Sequence, residues 1–360
     1  MESMVSMKLF DFYKGKNVFV TGHTGFKGSW LCCILIRAGA HVTGYALDPL
    51  TNLSLFDIAD IAHDMRSLSG DIRHVTGLQN ALVAANPDIV FHLAAQPLVR
   101  ESYQNPHATY ETNVMGTVNI LESIRQSDRV KSFLNVTTDK VYENKEWAWG
   151  YRENETINGY DPYSNSKSCS ELVTQCYKNA FFSDGRVAIS TARAGNVIGG
   201  GDFAKDRIIP DCIRAAMEGR GILVRNPFST RPYQHVLEPL HAYLLIAARQ
   251  FEDGTLADSY NVGPDEEGCY QTGELVNLFC DIWGNGQNWT DQSDHGPHEA
   301  NFLKLDCSKI KTTLGWKPRW CVEKAVEKTV TWTKCWLNGS AKDCLDDQIQ
   351  DFFTPDLCQK

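Results

Sequence analysis

In the first half of the chain a short apolar, β-branched run repeatedly precedes a longer amphipathic stretch. "NVFVT" (17–21) is followed by 28–38, "HVTGYAL" (41–47) by 53–62, "DIVFHLAA" (88–95) by 107–126 and "SFLNVTT" (132–138) by 162–181, and "VAISTARAGN" (187–196) continues the series. Apolar runs alternating with helical-period stretches mark parallel strands joined by crossover helices, so the pattern predicts an α/β fold on a doubly wound parallel sheet. After about Asn196 the rhythm loosens, glycine, proline and aromatic residues become more frequent, and helices are predicted near 207–218, 237–250, 271–283 and 322–337. The expectation is a first domain over 1–195, to which 234–262 returns, and a smaller C-terminal lobe over 196–360, with a cleft between them. From Ser340 onward the chain reads as a peripheral tail.

Size supports two lobes, because 360 residues exceed the roughly 250–300 at which single cores stop growing. Apolar residues at 42% and charged residues at 22% describe an ordinary globular protein. The greasiest stretch, "WLCCILI" (30–36), is far shorter than the roughly 18 residues of a membrane span, and "MESMVSMKLFDFYKGK" has no signal-peptide core, so a cytoplasmic location is expected. A formal charge of −9 argues against nucleic acid or an anionic membrane as partner, and a phosphate-bearing ligand must then be held by local devices. The 12 cysteines show no framework spacing and no C-x-x-C pair, and the 10 histidines are scattered. Reduced thiols and no metal site are the expectation.

Candidate chemistry begins at "NVFVTGHTGFKG", where Gly22, Gly25 and Gly28 stand between a strand and an amphipathic stretch. Such a turn lets the backbone approach a pyrophosphate at a helix N-terminus, and its place in the first strand–helix unit points to a dinucleotide. Asp48, after the second strand, suits ribose hydroxyls and would repel a 2′-phosphate, which favours NAD; it would also serve as a turn aspartate before Pro49. "GDI" (70–72) and "HLAAQP" (92–97) end the third and fourth strands, at the carboxyl edge where open sheets bind ligands. The cofactor set is therefore Gly22, Thr24, Gly25, Phe26 and Gly28 in the turn, Asp48, Asp71 and Ile72 after the next strands, and Leu93, Ala94, Ala95, Gln96 and Thr112 beyond.

Two further segments carry reactive groups. Thr137, Thr138, Asp139 and Lys140 follow the apolar run "SFLNV" directly, and Tyr163 and Lys167 lie four residues apart in "YDPYSNSKSCSEL". The four-residue spacing puts phenol and ammonium on one helix face, where the ammonium is expected to lower the phenol's pKa. Taken by themselves, Asp139 and Lys140 would also make an ordinary surface ion pair.

"TGHTGFKG", "HLAAQ", "TTDKVY", "YSNSK" and "ARAGNVIGGGD", in this order, resemble the extended short-chain dehydrogenase/reductase family, whose Rossmann domain binds NAD; the similarity spans at least 16–335. Within that family the Thr-Asp pair followed by an ionisable residue resembles the nucleoside-diphosphate-sugar 4,6-dehydratases. Lys140 departs from the glutamate usual in dTDP- and GDP-sugar enzymes, and "TDKVY" with "HTGFKGSWL" is similar to the branch acting on CDP-glucose. The resemblance implies that Tyr163, assisted by Lys167, takes the proton of the sugar C4 hydroxyl, that Thr138 holds that oxygen, that Lys140 removes the C5 proton, and that Asp139 protonates the departing C6 hydroxyl. It also implies substrate contacts from Asn196 and Arg231. His298 and Glu299 match loosely and serve equally as rim decoration.

Trp147 and Trp149 are candidates for a lid or for packing. A homodimer through 107–126 and 162–181, or a tetramer, is expected. Competing readings are a nucleotide-sugar epimerase, which shares Tyr163, Lys167 and NAD but has no use for Asp139 and Lys140, and an NAD-binding regulator on the same fold.

Overall fold

A computed structural model describes residues 9–49, 51–292 and 303–354. At its centre is a parallel seven-stranded sheet of β1 (Asn17–Thr21), β2 (His41–Ala46), β3 (Arg66–Ser69), β4 (Ile89–His92), β5 (Ser132–Val136), β6 (Ala188–Ala194) and, far along the chain, β10 (Ser259–Val262). The spatial order is β10-β6-β5-β4-β1-β2-β3, so the strand order reverses between β1 and β4. Ligands bind at such a reversal, outside the carboxyl ends of the strands. All residues of β4, β5 and β6 are buried, as strands covered on both faces require.

The crossover helices are α1 (Phe26–Arg37), α2 (Val75–Ala85), α3 (Gly116–Arg125) and α4 (Pro162–Phe181). The expected helix at 53–62 is broken into Leu55–Ile58 and a 3₁₀ turn Ile61–Asp64, because Asp60 between them adopts φ +49°. The expected 107–126 helix is continuous but for a π-helical turn, Glu111–Met115.

The second half supplies α5 (Ile208–Met217), α7 (Thr272–Trp283) and α8 (Val322–Leu337), close to the helices predicted from periodicity. Two small sheets join them: β7 (Asn196–Ile198), β9 (Thr230–His235) and β11 (Cys269–Gln271) form one, and β8 (Ile222–Val224) with β12 (Trp289–Asp291) the other. Helix α6 (Leu237–Glu252) packs on β5 and β6; Ser132 Oγ donates to Ala247 O at 2.9 Å and Gln250 Nε2 to Ser132 Oγ at 2.8 Å.

The peripheral tail expected from Ser340 is a correction. Ala341–Phe353 is a helix, α9, whose Leu345, Ile349 and Phe352 are at most 1% exposed and belong to the core cluster of the large sheet. Their 345, 349, 352 spacing is one apolar stripe, and each such side chain contributes about 1.5–3 kcal/mol when fully buried. Every cysteine among the described residues is free. Among those residues no helix is long and apolar enough to cross a membrane.

Candidate active site

The carboxyl ends of β5 and β6, with the segment after β4 from Pro97, border a cleft of about 670 Å³ that residues of the second half also line. Thr138, Asp139, Lys140, Tyr163, Asn196 and Arg231 all line it, so the residues singled out in four separate sequence segments meet in one place. His298 and Glu299 lie outside the described residues.

Helix α4 presents Tyr163 in its first turn. Asp161 caps it, its carboxylate accepting from Ser164 N at 2.9 Å and Ser164 Oγ at 2.6 Å, and Pro162 fills the first helical position. Ser164, Ser166, Ser168 and Ser170 are all buried, small residues that let the helix pack closely; Ser170 Oγ accepts from Asn135 of β5 at 2.9 Å and Ser166 Oγ from Asn113 of the π turn at 2.9 Å. Ser168 Oγ reaches Val141 O at 2.8 Å, and Lys167 Nζ reaches Val136 O, at the end of β5, at 3.2 Å.

The turn after β5 is equally fixed. Thr138 caps the 3₁₀ turn Asp139–Val141 and donates its hydroxyl to Asp139 Oδ1 at 2.9 Å. Asp139 is 1% exposed, and its Oδ2 is buried without a hydrogen-bond partner. Burial pushes its carboxyl up; the nearby charges of Lys140, Arg231 and Lys27 and the Thr138 hydrogen bond oppose that push without cancelling it. Lys140 lines the same cleft at partial exposure.

One expectation needs correcting. The Tyr163 phenol is not lowered toward neutrality by Lys167: low-polarity surroundings push it up to about 12, and hydrogen bonding with Thr138 and the charge of Arg207 offset only part of this. The Lys167 ammonium is spent on the Val136 carbonyl, and burial drives it down to about 8.

The glycine turn fits a dinucleotide. Gly22 has φ +76°, and a Cβ there would lie 2.7 Å from Ala94 N; one on Gly28 would lie 2.1 Å from Gly22 O. Gly25 precedes helix α1 as its N-cap and offers no side-chain cap, and the first turn has no acidic residue, which leaves the helix's N–H groups for an anion. Thr24 Oγ1 donates to Leu47 O at 2.8 Å, tying the turn to exposed Asp48, and Phe26 opens the helix. Ile72 is buried, and Leu93, Ala94 and Ala95 follow β4 at partial exposure. Two side chains in the expected cofactor set are engaged elsewhere: Asp71 is held by Arg73 at 2.6 Å, and Gln96 is tied to the backbone of Leu98 and to Thr109 Oγ1. Thr112 sits in the π turn, beside buried Asn113.

Sequence reading missed several members of this site. Asn113 accepts from Gln96 N at 2.8 Å and donates to Ser166 Oγ at 2.9 Å, clamping the "HLAAQ" loop to the Tyr163 helix; the signal was a polar residue within an otherwise helical-period stretch. Lys27 lines the cleft, pushed down to about 8 by burial and by the charges of Arg207 and Lys167. Behind the turn, Arg193 and Glu171 form a buried ion pair at 3.0 Å, and Glu171 also accepts from Thr137 and Thr191. Arg231, 5% exposed, lies near Tyr233, to which Asn196 is hydrogen-bonded. Trp147 stacks on Tyr151 with centroids 5.3 Å apart, so packing is its role here, and Trp149 is exposed.

Comparison with known proteins places this arrangement. CDP-glucose 4,6-dehydratase of Salmonella typhimurium is 48% identical over 351 residues, covering 96% of this chain and 98% of the relative. dTDP-glucose 4,6-dehydratase of Xanthomonas campestris is 27% identical over 346 residues, covering 89% and 94%. The fold is shared with the UDP-glucose 4-epimerase of Thermotoga maritima (TM-score 0.78, 21% identity, 89% of this chain and 99% of the other). It is shared also with the dTDP-glucose 4,6-dehydratase of Bacillus anthracis in complex with NAD (TM-score 0.75, 20% identity, 88% and 96%). A family model for GDP-mannose 4,6 dehydratase matches residues 19–329, and the chain belongs to that family.

Proposed function

We propose that this chain is an NAD-dependent CDP-glucose 4,6-dehydratase, a hydro-lyase that forms CDP-4-keto-6-deoxyglucose. The observation that carries the reading is Asp139: a buried carboxyl whose pKa is raised by burial, with one oxygen unpartnered, in a cleft shared with Thr138, Lys140 and Tyr163. An epimerase needs the phenol and the cofactor but no second acid, so this group supports loss of water over inversion. The 48% identity to a CDP-glucose enzyme supports the choice of nucleotide.

When bound, NAD supplies a reversible hydride acceptor, so that no net oxidation of the sugar is needed. Tyr163 takes the proton of the C4 hydroxyl, and Thr138 hydrogen-bonds the same oxygen as it becomes a ketone. The ketone acidifies the C5 hydrogen, which Lys140 removes. Asp139 protonates the C6 hydroxyl, which leaves as water. Acid and base on adjacent residues work together only if their protonation states differ, so the reading requires Lys140 to act as a neutral amine beside a protonated Asp139. Arg231 offers a guanidinium fork for the diphosphate, and Asn196 lies beside it.

The same reading includes a cytoplasmic enzyme that supplies deoxysugar precursors for surface polysaccharide. It includes a homodimer through the outer faces of α3, α4 and the π turn, where Met115, Leu172 and Phe181 are exposed. The deciding experiment presents CDP-, dTDP-, GDP- and UDP-glucose separately to the purified protein and records product mass. Loss of one water from CDP-glucose alone is expected; four unchanged masses would reject the assignment.

A further inference from the structure

The mechanism uses Thr138, Asp139 and Lys140 after β5 and leaves the threonine before them without a role. Thr137 is 5% exposed; its N–H donates to Ala192 O at 2.9 Å and its hydroxyl to Glu171 Oε1 at 2.5 Å. Glu171 lies on α4, about two helical turns beyond Tyr163. Both of its oxygens are engaged: Oε1 also accepts from Arg193 Nε at 3.1 Å, and Oε2 accepts from Thr191 Oγ1 at 2.7 Å and Arg193 Nη2 at 3.0 Å. At the far end of the turn Val141 O accepts from Ser168 Oγ of α4 at 2.8 Å, and the Tyr142 hydroxyl accepts from Arg193 Nη1 at 2.8 Å and donates to Asn261 Oδ1 at 2.6 Å. The turn that carries Asp139 and Lys140 is thus fastened on either side to α4, directly or through Arg193. We propose that Thr137 is a positioning residue: held by Glu171, it fixes Asp139 and Lys140 relative to Tyr163 on the same helix, and loss of water depends on it more than hydride transfer does.

The inference rests on the function proposed above, in which one bound sugar is addressed twice. Tyr163 acts at C4 from the first turn of α4, where the Asp161 cap and the hydrogen bond from its own N–H to Ser102 Oγ, at 3.1 Å, keep its place. Neither contact involves Thr137. Asp139 and Lys140 act at C6 and C5 from a different element, so their distance from Tyr163 is set by the ties between that turn and α4. A hydrogen bond from a hydroxyl to a carboxylate is among the stronger kinds, and this one is shielded from water, because Thr137, Glu171 and Arg193 are each at most 5% exposed. Removing the Thr137 hydroxyl leaves Glu171 Oε1 with Arg193, so no buried charge is orphaned; what is lost is the anchor of the strand end that carries the turn. A displacement of about 1 Å in a reacting group costs about a hundredfold in rate. Thr138 moves with the turn, so hydride transfer slows as well, but less, because Tyr163 stays in place.

The test mixes the holoenzyme, with NAD bound, and CDP-glucose in a single turnover, for wild type, Thr137→Val and Thr137→Ser. Reduced cofactor is followed by its absorbance and the sugar by mass, the ketone left by hydride transfer being lighter than the substrate by two hydrogens and the final product by one water. In Thr137→Val the decay of reduced cofactor should slow by about ten- to a hundredfold and its formation by a few-fold at most, so that reduced cofactor and ketone accumulate. Thr137→Ser, which keeps the hydroxyl, should restore the wild-type ratio of the two rates. Formation and decay slowed by the same factor, as a general loosening of the fold would give, overturns the proposal, as do unchanged rates or a Ser variant as impaired as Val. If Thr137→Val melts well below wild type, Ser168→Ala, which cuts the tie at Val141, is read in its place. Wild type that neither reduces its cofactor nor dehydrates CDP-glucose rejects the function itself. Wild type that does both, beside a Val variant of unmoved ratio, rejects only the role of Thr137.

Discussion

Thr138 and Asp139 are joined by a hydrogen bond of 2.9 Å from Oγ1 to Oδ1, while Oδ2 of the same carboxyl is buried with nothing to bond. A buried unpaired carboxylate oxygen is costly, and that cost pushes the carboxyl's pKa up. The threonine therefore aims the carboxyl as well as facing the substrate, and the free oxygen is the one able to deliver a proton into the cleft.

Replacing Asp139 by Asn preserves the size of the group and its hydrogen bond from Thr138 but removes the transferable proton. Product formation should fall by about 10²- to 10⁴-fold, the usual contribution of a general acid. Lys140→Ala should lose product formation in the same way, through the missing base. Both variants should retain bound cofactor, measured by its release on denaturation, with product read by mass. Undiminished dehydration in both would sink the catalytic assignment.

Gly28→Ala tests the cofactor turn. The added methyl would meet Gly22 O at 2.1 Å and the Gly22 carbonyl carbon at 2.9 Å, and these are backbone atoms that cannot rotate aside. The turn has to open, at a cost of about 1–3 kcal/mol by analogy with overpacked sites. The purified variant should carry little NAD and show a lowered melting temperature, whereas Gly185→Ala, in an open loop with no neighbour within 4 Å, should keep its cofactor.

What was legible in the sequence was whatever depends on neighbours in the chain. The apolar runs at 17–21, 132–136 and 188–194 are strands, and Tyr163 and Lys167 share a capped helix, because period and capping act within a few residues. The contacts of Lys167 were not legible: its ammonium turns to Val136, 31 residues back, and only the close approach of a serine-faced helix to β5 makes this so. Arg207 and Asp202 escaped notice for the same reason, since a charged pair in a glycine-rich loop looks like a solvated surface until the cleft forms around it. Helix α9 was misread because its stripe of Leu345, Ile349 and Phe352 is diluted by five acidic or amide residues between 346 and 351.

The buried pair of Glu171 and Arg193 should prove structural in its first effect. Arg193 donates to Glu171 through Nε and Nη2, and through Nη1 to Tyr142 and to the Glu153 carbonyl. Glu171→Gln removes the balancing charge and leaves the guanidinium buried, a change that typically costs about 3–5 kcal/mol. Denaturant titration should show that loss. A midpoint equal to wild type would mean that the hydrogen bonds, and not the charge, hold this region together.

Glu238 gives stability a pH dependence of unusual sign. Its side chain is fully buried at the start of α6; Oε1 accepts from Arg319 N at 2.9 Å and Trp320 N at 2.7 Å, but Oε2 has no partner. Burial outweighs the two backbone hydrogen bonds and the Arg319 charge and pushes the carboxyl from the ordinary 4.5 to about 7. Between those values the folded chain holds a proton that the unfolded chain has lost, so stability falls as pH rises through the window and the fall ends above about 7. At 1.36 kcal/mol per unit the loss amounts to about 3 kcal/mol. Glu238→Gln keeps an acceptor for the two N–H groups and has no proton to lose. Its stability relative to wild type, read from denaturant midpoints, should therefore improve between about pH 4.5 and pH 7 and level off above that. A difference that stays constant across that range would show that Glu238 titrates alike in the folded and unfolded chain.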